Sequence, residues 1–110
     1  MDASDRSRML LNVEAEALAA RILLDELRCG RVEAALELLE QKVDVSVCAI
    51  ERMASDAQPQ ERERAADTLK VLSDYRHRHP RDTEGMLNRG DKLLDRARQE
   101  AERVLKKARQ

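Results

Sequence analysis

Between Leu10 and Leu27, apolar residues recur at alternating intervals of three and four: Leu10, Val13, Ala17, Ala20, Leu24 and Leu27. Those intervals follow the turn of an α-helix and draw one apolar stripe along it. Leu11, Leu18, Ile22 and Leu23 widen the stripe, so this helix is expected to meet neighbours on more than one side. Its start falls between Ser4 and Asn12, and its end at Arg28 or Cys29.

A second stripe, Val32, Ala35, Leu36, Leu39, Val43, Val47, Ile50 and Ala54, keeps phase from Arg31 or Val32 to Ser55. The β-branched segment Val43–Val47 leaves room for a bend near Asp44, but the unbroken phase favours one helix. Between the two stripes stands Gly30. A left-handed glycine ends a helix without a side-chain clash, and Ala34 and Ala35 allow close approach of the next one. The pair therefore reads as a helical hairpin packed through Leu27, Gly30, Ala35 and Leu39.

Ser55–Gln60, SDAQPQ, is a linker that ends in a helix start. Pro59 suits the first turn of a third helix, and Glu61 and Glu63 complement its positive N-terminal end. This helix is expected to bury Ala65, Ala66, Leu69, Leu72 and Tyr75 and to stop before Pro80, since the residue preceding a proline resists helical geometry. Its last residue, His79, is placed for a positive imidazole to meet the exposed carbonyls. Asp82 or Thr83 suits a cap, Gly85 and Gly90 weaken the turns after that cap, and a fourth helix runs from Asp91 to Ala108. There Leu87, Leu94, Ala101 and Ala108 recur every seven residues, with Gly90, Ala97 and Val104 between them. That seam is heptad-like but poor in bulk, free to lie on the body, pair with another copy or protrude.

The expected fold is all-α: an antiparallel hairpin, a third packed helix and a longer C-terminal helix. The domain expectation is a helical core over residues 1–80 and a charged amphipathic helix over 81–110. Composition adds one constraint. Of 110 residues, 42% are apolar and 39% charged, with Tyr75 the single aromatic. Much of the apolar share is alanine, which buries little area, so the core is thin and a partner is favoured.

Charge is uneven although the net is only −1. Residues 1–75 carry 10 basic and 16 acidic side chains, and residues 76–110 carry 11 and 6. Such asymmetry suits docking of the tail, head-to-tail association or an anionic partner. No run approaches the ~18 apolar residues of a membrane span, and the acidic, interrupted N-terminus reads as neither signal nor anchor. A cytoplasmic protein is expected.

Candidate chemistry is sparse. If the second helix is straight, Cys48 lies roughly 26 Å along it from the turn at Cys29, beyond the ~7 Å a disulfide spans. Two free thiols are expected, with Cys48 partly buried. His77 and His79 point to different sides of a helix and stand among Arg76, Arg78 and Arg81, a poor metal site. Glu33, Glu37, Glu40 and Asp44 fall on one face of the second helix, read as solvated and able to greet a basic partner. No metal, cofactor, small-molecule substrate or catalytic residue is assigned.

Two resemblances rest on these residues. Gly30, Ala35 and Leu39 carry the spacing of the second half of a tetratricopeptide repeat, to which the hairpin is similar. Ala19, Leu23 and Glu26 depart from its first half, and one unit does not make a solenoid. Leu39, Glu40, Val43 and Asp44, with Tyr75, Arg76, His79 and Pro80, resemble a loosely defined group of small bacterial helical proteins of unknown function. That resemblance implies a fold and no activity.

The sequence thus points to a non-enzymatic helical interaction or assembly module, with a homodimer the favoured assembly. Leu87, Leu94, Arg96, Ala101 and Arg103 of the fourth helix are the candidate partner-binding residues. The alternative is a nucleic-acid-associated or regulatory accessory protein acting through the basic tail. Asp91, Asp95, Glu100 and Glu102 interrupt that tail and disfavour nucleic acid.

Overall fold

Local signals set the helix ends. The computed structural model of the chain describes residues 2–81 and 92–110. It contains α1 (Ala3–Arg28), α2 (Val32–Ala54), α3 (Pro59–Arg78) and α4 (Lys92–Arg109), an all-α fold. Helix α1 starts slightly earlier than its apolar pattern suggests because Asp2 caps it. The Asp2 carboxylate accepts from the Asp5 backbone N–H at 2.8 Å.

The end of α1 is a Schellman turn. Gly30 has φ +80°, its N–H donates to the Leu27 carbonyl at 3.0 Å, and the Arg31 N–H reaches back to the Glu26 carbonyl at 2.8 Å. The Arg31 side chain closes the same corner, with Nε 2.6 Å and Nη2 3.2 Å from the two oxygens of Glu26. Those bonds hold the Glu26 carboxyl below its usual range. A Cβ on Gly30 would meet nothing within 4 Å. Backbone conformation, and not a close helix approach, is what requires glycine here.

Helix α2 is continuous through Val43–Val47, as the unbroken phase of its stripe indicates. Pro59 takes the first turn of α3. At the other end of α3 the His79 backbone N–H, rather than the imidazole, does the capping by donating to the Tyr75 carbonyl at 2.9 Å. The His79 ring lies against Tyr75, with centroids 5.1 Å apart. Asp82, Thr83, Gly85, Leu87 and Gly90 lie outside the described residues.

The chain divides into two compact units, Met1–Leu38 and Leu39–Gln110. In the second, Val47 of α2 and Ala101, Val104 and Leu105 of α4 form the buried apolar cluster. Val43, Cys48, Leu69 and Leu72 pack around it. The Ser73 hydroxyl of α3, itself buried, donates to the Leu105 carbonyl at 2.8 Å and ties the two helices. Tyr75 is half-buried, whereas Ala66 is exposed and takes no part in the core. The core is as thin as the alanine-rich composition indicates.

In the first unit no residue of α1 is buried. Only Ala19, Leu23 and Glu26 of that helix are half-buried. The expectation that α1 meets neighbours on more than one side is therefore corrected: the Leu10–Leu27 stripe and the Leu11–Leu18–Ile22 line are both exposed, and the partly covered residues lie between them.

Candidate interaction surface

Two features stand out from this fold: an uncovered apolar helix and a buried charge cluster. Along α1, Met9, Leu10, Leu11, Val13, Leu18, Ile22, Leu24 and Leu27 are all exposed, from 46% at Ile22 to 66% at Leu11. Val32 and Leu36 continue the exposure into the first turns of α2. Isolated surface leucines are ordinary, but eight large apolar side chains left exposed around one helix mark an interaction site.

The residues assigned to hairpin packing divide accordingly. Ala35 is buried at 1% exposure, while Leu27 and Leu39 are 48% and 44% exposed. Leu39 begins the second unit and Gly30 supplies the turn.

The charge cluster lies wholly within the second unit. Asp44 and Arg76 are buried, and the Arg81 side chain is 3% exposed. Arg76 Nη2 sits 3.1 Å from Asp44 Oδ1, its Nε 3.4 Å from Glu40 Oε2, and its Nη1 3.2 Å from Glu102 Oε1. Arg81 Nη1 bonds the other Asp44 oxygen. The Tyr75 hydroxyl donates to Glu40 Oε1 at 3.1 Å. Burial and that bond push the Tyr75 phenol above its ordinary pKa. Arg76 Nη2 and Nε hold their acids by charge and proximity, without an aligned hydrogen bond.

This cluster corrects the reading of the α2 carboxylates as one solvated face. Glu33 is exposed, Glu37 and Glu40 are half-buried, and Asp44 is closed off altogether. The available signal was position: Asp44 lies next to Val43 and one turn before Val47 and Cys48, at the edge of the apolar stripe. An acid placed there needs a cation, and Arg76 and Arg81 supply two.

Helix α4 is docked, not open. Ala101 is fully buried in the core, Leu94 is half-buried, Arg96 is exposed and Leu87 lies outside the described residues. Arg103 is exposed but bonds Glu51 of α2 at 2.8 Å and also Glu100. Arg109 pairs with Asp74 of α3 at 3.1 Å. The heptad-like seam of α4, Leu94–Ala97–Ala101–Val104–Ala108, is thus spent on its own unit. A hollow of about 620 Å³ beside it is lined by Arg76, Arg81, Arg98, Glu102 and Lys106 among others, and the first two of these cations are already matched by acids.

The thiols are free, with Cys29 exposed and Cys48 half-buried. Cys48 Sγ donates to the Ala97 carbonyl at 3.5 Å, and burial pushes its pKa up. His77 and His79 are both exposed. Among the described residues no group of three or more His, Cys, Asp or Glu is placed to hold a metal ion, and no helix is long and apolar enough to cross a membrane. No protein family, curated protein or solved structure matches this chain.

Proposed function

We propose that the chain is a non-enzymatic helical assembly module that associates through the apolar surface of α1. The observation that carries this reading is a 26-residue helix with no buried residue and eight large apolar side chains exposed. Full burial of such a side chain is worth about 1.5–3 kcal/mol, and these are 46–66% exposed, so covering each gains about half of that and association has an incentive on this helix. The second unit acts as the folded body, and its carboxylates neutralise arginines where an acid–base pair would need opposed environments.

The partner-binding role moves from α4, whose seam is occupied, to α1. In the basic tail, Arg103 and Arg109 are held by acids of α2 and α3, which leaves Lys92, Arg96, Lys106 and Lys107 as its other exposed cations among the described residues. Sedimentation of the purified chain over a range of concentrations tests the reading. An oligomer is expected, and it persists at about 0.5 M salt, where exposed charge attraction is screened. Leu10→Glu with Leu24→Glu returns it to monomer with its helical circular dichroism intact, since both side chains are exposed. A monomer at every concentration overturns self-association.

A further inference from the structure

The exposed stripe of α1 is nearly symmetric about its own middle. With Leu10 as the first core position of a heptad, Val13, Ala17, Ala20, Leu24 and Leu27 fill the following core positions. Leu10 and Leu27, Val13 and Leu24, and Ala17 and Ala20 each stand equally far from the midpoint between Leu18 and Ala19. The stripe is large at both ends and small at its centre, and every one of these residues is exposed.

The charges beside the stripe share this symmetry. Glu14 and Arg21 hold the same flanking position one heptad apart, with their midpoint close to that of the stripe. Asp2 and Asp5 stand at the N-terminal end of the helix and Arg28 at its C-terminal end. A surface that complements its own rotated copy is the requirement of a two-fold interface.

Resting on the assembly reading above, we propose that α1 pairs antiparallel with α1 of a second copy of this chain. Leu10 meets Leu27 of the partner subunit, Val13 meets Leu24 of the partner subunit, and the alanines cross at the centre. Their small side chains let the two helix axes approach closely there. Glu14 lies beside Arg21 of the partner subunit, and the contact occurs twice by symmetry. Antiparallel pairing also runs the helix dipoles head to tail and brings the acidic first turn near Arg28 of the partner subunit. A parallel pair sets the two acidic first turns side by side.

Distances between spin labels decide the orientation. Leu11→Cys and Leu18→Cys sit on the side of α1 away from the stripe and are labelled one at a time, in a chain also carrying C29S and C48A. Antiparallel pairing places the two Leu18 sites about 1.5 Å apart along the axis and the two Leu11 sites about 22 Å apart. A longer distance for Leu11 than for Leu18 is therefore expected, and equal distances overturn the pairing while leaving association standing. Charge reversal gives an independent measurement. E14R and R21E each weaken the dimer several-fold, and the double variant recovers it. Failure of the double variant to recover also overturns the register. A chain that is monomeric throughout removes both this pairing and the self-association on which it rests.

Discussion

Arg76 and Asp44 meet 3.1 Å apart, guanidinium to carboxylate, with side chains 5% and 2% exposed. Neither is near the N-terminal end of its helix, and they come from α3 and α2 respectively. Arg81 bonds the second oxygen of Asp44, and Glu40 and Glu102 complete the charge balance around Arg76. A buried pair of this kind need not stabilise a fold relative to apolar residues, but removing one member leaves the other stranded.

Asp44→Ala accordingly costs about 3–5 kcal/mol, because it leaves Arg76 and Arg81 buried beside a missing acid. Glu33→Ala, at an exposed site on the same helix, stays within about 0.5 kcal/mol of the parent. Urea unfolding followed by circular dichroism reports both. Equal midpoints for the two variants would remove the cluster from the stability of this unit.

Tyr75 is the only aromatic residue of the three ultraviolet-absorbing types, so its ionisation reads cleanly as a rise in absorbance. Its midpoint lies above the ordinary tyrosine value, chiefly through burial and then through the bond to Glu40. Since the folded state holds this proton more tightly, the associated stability is complete below the unfolded value and declines as pH rises through the folded one. Glu40→Gln removes the negative charge beside the phenol and brings the midpoint down. An unchanged midpoint in that variant would leave burial as the sole cause.

The two thiols separate kinetically. Cys48 is raised by burial and bonded to the Ala97 carbonyl, whereas Cys29 is exposed next to the turn. A thiol reagent at mildly alkaline pH modifies Cys29 quickly and Cys48 slowly, and denaturant merges the phases. A single phase in the native chain would contradict the packing of α4 over Cys48.

Gly30→Ala costs about 1–2 kcal/mol although there is open space for the methyl group, because φ +80° disfavours any residue with a Cβ. Gly30→Asn costs less, since asparagine tolerates the left-handed region. Thermal unfolding of both variants checks the order, and equal losses would point away from backbone conformation.

The chain alone specifies the four helices and most of their ends. Those depend on neighbours in the chain: the Asp2 cap, the Gly30 turn, Pro59 in a first turn, and the 3.6-residue period that carries α2 unbroken through Val43–Val47. It also contained the exposed stripe from Leu10 to Leu27, but periodicity records that a face is apolar without recording what covers it. Packing between helices alone brings Ala101 and Val104 onto Val47. It also brings Asp44 to Arg76, 32 positions further along the chain and on another helix. Both facts depend on how helices meet, and a spacing rule within one helix holds no information about the side chains another helix brings to it.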